Sequence, residues 1–430
     1  MPTILDASQI GFEADLKKIL DNPRGLSQDV SDIVRTIIDT IKQNGDDALV
    51  NYTRQFDDDQ ASLETLTVTQ QALDAAEKLI DEDLKNALKL AYRRITLFHQ
   101  KLLPDHIFYK DDTGTHLGVR YTPLDSAGVY IPGGSANYPS SVLMNIIPAK
   151  IAGVKRIVAV VPAPKGIIDP LVLYALKLAG ADEIYKVGGA QAIAALAYGT
   201  QTIQAVDKIT GPGNAYVAEA KKQVFGSVGI DSIAGPSEIL IIADQGANPY
   251  HTAIDLLSQA EHDALAQAVL LSPSQDFTNQ VLMHIDQVLE TLPRKKIAQQ
   301  SWSNYGVIIH VDSLEQAAEI SNQFAPEHLQ LSVAETELLL PFIKHAGAIF
   351  MGYYTPEAIG DYIAGPNHVL PTNRTPRFAS GLSTIDFMKR SSLIQCSKES
   401  IQHIAPSAVK LADAEGLYAH SLSCQVRIQS

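Results

Sequence analysis

From Gly128 to Val311 short apolar runs alternate with stretches of helical periodicity, and glycine-rich turns join several of them. The first series of runs is Gly128–Ile131, Arg156–Val161, Glu183–Val187 and Val206–Ile209. Helical segments at Val142–Ala152, Asp169–Leu178, Ala190–Ala197 and Asn214–Val224 follow them in turn. A second series has runs at Glu238–Ala243, Gln267–Leu271 and Gly306–Val311, with helical segments at Pro249–His262, Asp276–Leu292 and from Leu314 onward. An apolar run without polar alternation is a strand buried on both faces, and a helix between two such strands is the crossover that parallel pairing requires. The expected class is therefore α/β with two parallel-sheet domains, the series separating near Ala234–Ser237. Upstream, Val30, Ile33, Val34, Ile37, Ile38 and Ile41 predict a helix from Ser27 to about Arg54, and a second helical stretch spans Thr69–Lys101. The first residues read as a short polar segment closed by the turn Asn22–Gly25, and after Leu382 the pattern weakens.

Composition narrows the partners. The 430 residues carry 34 Lys plus Arg against 48 Asp plus Glu, a net charge of −14 without a basic run, which argues against nucleic acid. No apolar run reaches the roughly 18 residues of a membrane span, and the acidic start is unlike a signal peptide. A soluble, cytoplasmic protein is expected. The 2 cysteines, Cys396 and Cys424, read as reduced thiols rather than a disulfide framework.

Three turns have the glycine content of phosphate-binding strand-to-helix junctions: Ile131–Ser135 (IPGGS), Val187–Gln191 (VGGAQ) and Gly211–Tyr216 (GPGNAY). The third begins like a dinucleotide fingerprint, but Tyr216 stands at its last glycine position. Together they point to a nucleotide or dinucleotide site. Among the histidines, His99, His106, His116, His251, His284, His310, His345 and His403 read as surface or satisfied core residues. His262, His328, His368 and His420 sit beside acids, amides or glycine-rich loops. Gln259, His262, Asp361 and His420 offer the nitrogen and oxygen donors of a divalent metal site. They are far apart in sequence, and spacing alone leaves open whether they meet.

Taken together the motifs resemble the histidinol dehydrogenase family. The matching blocks are Gly128–Gly134 (GVYIPGG), Val187–Ala195 (VGGAQAIAA), Lys208–Asn214 (KITGPGN), Ala234–Glu238 (AGPSE) and Ser258–Asp263 (SQAEHD). They continue with Ala325–Leu329 (APEHL), Gly360–Asp361 through Asn367–His368, and Glu415–His420 (EGLYAH). The resemblance implies an incomplete Rossmann-like NAD domain over residues 124–235 and a larger α/β domain over 26–123 and 236–381. A short N-terminal arm, 1–25, and a C-terminal dimerisation segment, 382–430, complete that organisation. It implies oxidation of L-histidinol to L-histidine through histidinaldehyde, the last steps of histidine biosynthesis. The enzyme would be a homodimer using two NAD in succession and one Zn2+ per subunit.

By the same resemblance Gln259, His262, Asp361 and His420 are the zinc ligands, with His420 supplied by the tail of the other subunit. These residues, together with Ser237, His328, His368 and Glu415, line the substrate site. Tyr130, Gln191 and Asn214 match NAD-contacting positions, and Glu327 and His328 are the catalytic pair. His328 would act as base on the alcohol, its ordinary pKa of about 6.5 lying near working pH. Glu327 would activate water for attack on the aldehyde. Both thiols lie outside every motif, so a hydrate route is favoured over a cysteine adduct. Two readings stay open beside this one: a related zinc and NAD enzyme for another small alcohol, and a non-catalytic zinc-dependent binder of imidazole ligands.

Overall fold

The structure, a computed structural model, describes residues 2–21, 28–133 and 138–429. The turn Asn22–Gly25 and the end of the first glycine-rich turn, Gly134–Ser135, lie outside the described residues. The first eight strands in chain order are β1 (Thr3–Asp6), β2 (Ile107–Lys110), β3 (His116–Pro123), β4 (Ser126–Tyr130), β5 (Arg156–Val160), β6 (Glu183–Tyr185), β7 (Lys208–Thr210) and β8 (Gly229–Ile230). There follow β9 (Glu238–Ala243), β10 (Gln267–Ser272), β11 (Val307–His310), β12 (His328–Ser332), β13 (Ala348–Met351) and β14 (Met388–Gln395).

The larger sheet has the order β1-β11-β10-β9-β12-β13 and is parallel throughout. Successive side chains of a strand leave opposite faces. In β9, Leu240 and Ile242 join a layer with Phe12, Leu16, Ile320 and Phe324, while Ile239 and Ile241 join one with Leu256, Phe277, Val281 and Trp302. Helices cover both faces, which is why the strand sequences show no polar alternation.

The smaller sheet, β6-β5-β4-β7-β8, is also parallel. Counted from its own first strand the order is 3-2-1-4-5, the Rossmann order without a sixth strand. The expected incomplete Rossmann-like sheet is present. Val129, Ile157 and Ala159 pack with the helices Pro139–Ala152 and Pro170–Ala179. On the other face Val158, Val160 and Ile209 meet the helices Gly189–Tyr198, Ala215–Val224 and Gln28–Phe56.

Several elements differ from the sequence reading. The segment read as an arm supplies β1, an edge strand paired with β11 from Thr3–Val307 to Asp6–His310, and Phe12 and Leu16 behind it are buried in the core. The helical stretch 69–101 is two helices, Gln70–Leu79 and Glu82–Gln100. Asp81 caps the second by accepting from Leu84 N at 2.8 Å. The helix Lys295–Tyr305 and strand β12 stand where no element was expected. At β12 the cause is local: Ala325, left-handed at φ 46°, ends the helix Leu314–Phe324, and Pro326 follows it. β14, β3 and β2 form an antiparallel ribbon. Beyond it the helices Lys398–Ala414 and Tyr418–Ile428 pack on one another.

Candidate active site

The turn after Ala325 sets Glu327 and His328 at the amino end of β12, beside Glu238 at the amino end of β9. All three are buried. Glu238 holds both neighbours through its backbone. Its N–H donates to Glu327 Oε2 at 2.9 Å, and its carbonyl lies 2.9 Å from His328 Nδ1. A carbonyl only accepts, so Nδ1 carries the proton and Nε2 keeps its lone pair. His328 Nε2 is shut off from solvent without a hydrogen-bond partner. It lies 3.9 Å from Asp361 Oδ1.

Asp361 belongs to the short helix Glu357–Tyr362. Glu357 lies one turn before it, on the same face, and its Oε1 is 3.5 Å from His328 Nδ1. Burial raises the Glu357 carboxyl well above the usual range, with Asp361, Glu327 and Asp255 adding to the shift. Gln259 ends the helix Pro249–Ala260 fully buried, and its amide nitrogen, facing Glu357, donates to Oε1 at 2.9 Å. Asp255, one turn earlier, accepts from Gln330 Nε2 at 2.7 Å. Glu357 was missed by sequence reasoning; its position four residues before Asp361 was the available signal.

His368 reaches the same place from the loop after that helix. Its Nδ1 donates to the Asp361 carbonyl at 2.9 Å, and its Nε2 lies 3.4 Å from Ser141 Oγ. Ser141 is near the start of the helix following β4, so the cluster joins the amino edge of the larger sheet to the carboxyl edge of the smaller one. Burial holds His328 and His368 below the ordinary imidazole range; Asp361 opposes the shift, and the nearby His262 adds to it. His262 itself is exposed, just past the helix that carries Gln259. Ser237, half-buried, precedes Glu238 and accepts from Gln267 N through its carbonyl at 3.0 Å. Glu415 and His420 are exposed on the C-terminal helix pair, and no contact among the described residues brings them to the cluster.

These donors suit a divalent cation. His328, Glu357 and Asp361 place ligand-type atoms within 4.8 Å of one another. Neutral imidazoles and carboxylates are what zinc accepts, and burial favours the neutral form of His328 and His368. Of the ligand set that the resemblance implies, Gln259, His262 and Asp361 come from this neighbourhood, and Asp361 is shared with the observed group.

The three glycine-rich turns, the first as far as Gly133, converge at the carboxyl edge of the smaller sheet. Tyr130, buried at the end of β4, accepts from Gly189 N at 3.2 Å through its hydroxyl, and burial pushes that phenol up to about 12. Gly133 and Gly188 both close on Pro162, where a Cβ on Gly188 would lie 2.7 Å from Pro162 Cγ. Gly211, at φ 110°, is pressed against the Tyr130 carbonyl. Its N–H donates to Asp231 at 2.8 Å and its carbonyl accepts from Lys221 at 2.9 Å, and those two side chains form a buried ion pair. Gln191 is 1% exposed and its Nε2 has no partner. Thr210 Oγ1, at the end of β7, is in the same condition. Orphaned polar atoms beside closely approaching backbone are what a dinucleotide would satisfy. Asn214 spends its Oδ1 capping the next helix, accepting from Tyr216 N and Val217 N at 3.1 Å.

The family model described as histidinol dehydrogenase matches residues 21–428. A Rhodospirillum rubrum protein named histidinol dehydrogenase is 55% identical over 429 residues, 100% of this chain and 99% of its own. A Nostoc protein named histidinol dehydrogenase 1 is 52% identical over 426 residues, 99% and 98% of the two chains. The crystal structure of histidinol dehydrogenase from Elizabethkingia anophelis superposes with a TM-score of 0.95 at 40% identity, covering 100% of this chain and 98% of that one.

Proposed function

The chain belongs to the histidinol dehydrogenase family, an oxidoreductase family, and from that premise we propose that it converts L-histidinol to L-histidine through histidinaldehyde with two NAD in succession. The observation that carries the reading is the pair of backbone bonds by which Glu238 holds Glu327 and His328, with His328 Nε2 left unpartnered. In the first step Nε2 takes the hydroxyl proton of histidinol while hydride leaves its carbon for NAD, giving the aldehyde and NADH. In the second, Glu327 removes a proton from water as the oxygen adds to the aldehyde carbon. After His328 has passed its first proton to solvent, the hydrate anion so formed loses its remaining hydroxyl proton to Nε2 and a hydride to the second NAD, giving the carboxylate. A held geometry between alcohol, base and nicotinamide is the main requirement of both hydride steps.

Gln259, His262 and Asp361, with His420 of the partner subunit, would hold zinc, which would supply a Lewis-acid centre suited to the nitrogen donors of the substrate. His368, Ser237 and Glu415 complete the substrate side, Glu415 again from the partner in a homodimer. Tyr130, Gln191 and Asn214 mark the NAD side. The hydride-accepting edge of the smaller sheet and the base at the larger one are joined through Ser141 and His368, as a transfer between two domains requires. No described helix is long and apolar enough to cross a membrane, and a cytoplasmic setting accords with biosynthetic chemistry. NADH formation from L-histidinol by the protein as purified, after chelation, and after return of zinc tests the reading. Loss and recovery are expected; full activity in demonstrably zinc-free protein would contradict it.

A further inference from the structure

One acid at the NAD edge has no task in this scheme. Asp57 follows directly on the helix Gln28–Phe56, and its backbone carbonyl accepts from Lys165 N at 2.9 Å, in the loop after β5. Its carboxyl faces the Gly188 N–H of the second glycine-rich turn and lies near the Tyr130 phenol. One oxygen, Asp57 Oδ2, is shut off from solvent and accepts no hydrogen bond. The donor Gln191 Nε2, on the helix that this turn opens, is likewise orphaned.

Dinucleotide sheets bind the adenosine half over their first three strands, and an acid past the second strand accepts the ribose hydroxyls. Here those strands are β4, β5 and β6. β5 runs out through Val160, Val161 and Pro162 without an acid. Pro162 instead packs against Gly133 and Gly188. The carboxyl that the strand lacks arrives at the same edge from a different element. Burial raises the Asp57 carboxyl above its usual range and the neighbouring Asp58 adds to the shift, while the Gly188 N–H opposes it.

We propose that Asp57 accepts the ribose diol of NAD and is the residue that selects NAD over NADP. The inference rests on the reading of the three turns as the NAD site. A diol donates two hydrogen bonds to a carboxylate; a 2′-phosphate brings a second anion to the same place and donates none. A purely structural Asp57 would only satisfy the Gly188 N–H.

The test uses full-length protein, with kcat/KM for NAD and for NADP at saturating L-histidinol. Asp57→Asn keeps an acceptor for the Gly188 N–H and removes the charge. The ratio of the two kcat/KM values is expected to fall about tenfold or more, with the KM for L-histidinol and the Tm unchanged. An unchanged ratio in a folded variant overturns the proposal. Should the variant not fold, the wild type still decides it: ADP-ribose is expected to compete with NAD about tenfold or more tightly than its 2′-phosphate, and equal inhibition overturns the proposal. A wild type that reduces neither cofactor overturns the parent reading itself, an outcome distinct from equal use of both.

Discussion

His328 donates through Nδ1 to the main-chain carbonyl of Glu238, 2.9 Å away, and this single contact leaves Nε2 as the ring nitrogen with a free lone pair. The same residue's N–H anchors Glu327 at 2.9 Å, so the two side chains proposed as base and water activator are registered to one point at the start of β9. Neither bond depends on the side chain of Glu238, and the geometry follows from the parallel pairing of β9 with β12.

The two roles separate by mutation. His328→Asn retains a donor for the Glu238 carbonyl but removes Nε2, so both hydride steps are expected to slow by about 10²–10⁴. Glu327→Gln retains an acceptor for the Glu238 N–H but no longer deprotonates water. Rapid-mixing traces of that variant are expected to show the first NADH at a near-normal rate and a strongly delayed second. Equal loss of both phases would contradict the division of labour.

The buried pair Lys221 and Asp231 holds the third glycine-rich turn from both sides of Gly211. Lys221→Met leaves a buried carboxylate without its cation, a change that costs about 3–5 kcal/mol. Urea unfolding is expected to show that loss, and surviving activity a raised KM for NAD with the KM for L-histidinol unchanged. A wild-type unfolding midpoint would contradict the assignment.

The C-terminal helix pair leaves Leu417, Tyr418, Leu422 and Val426 exposed, alongside Glu415 and His420. These apolar side chains suit burial against a second copy, which would deliver His420 to the partner's zinc site. Truncation after Ala412 is therefore expected to abolish dimerisation and zinc binding together, read by light scattering and metal analysis. A zinc-replete monomer would contradict it.

Neither thiol lies in the catalytic cluster: Cys396 is exposed and follows β14, and Cys424 lies on the last helix. The double variant Cys396→Ala, Cys424→Ala is expected to keep wild-type turnover through both oxidations. Collapse of turnover with zinc content intact would favour a thiol adduct over the hydrate.

The parallel sheets were legible because strands buried on both faces leave uninterrupted apolar runs, as in Glu238–Ala243. The glycine turns were legible because backbone crowding at Gly188 and Gly211 admits no side chain. β12 was not, since its start depends on the left-handed Ala325 rather than on a turn glycine. Glu357 was overlooked because the only signal for it, the four-residue spacing to Asp361, lies in a helix of six residues. Glu238 acts through its peptide groups, which carry no residue signature at all. Asp57 acquires meaning only when a sequence-distant helix end is seen against the Gly188 turn. His420 and Glu415 rest on family resemblance, because no contact among the described residues brings them to the cluster.

The most direct measurement is the number of NADH molecules formed per L-histidinol consumed to completion, with and without a chelator. Two per substrate, lost on chelation and regained with zinc, is the expected result. A value of one would mean that oxidation stops at the aldehyde, and zero would leave only binding; either contradicts a base at His328 working twice on one bound substrate.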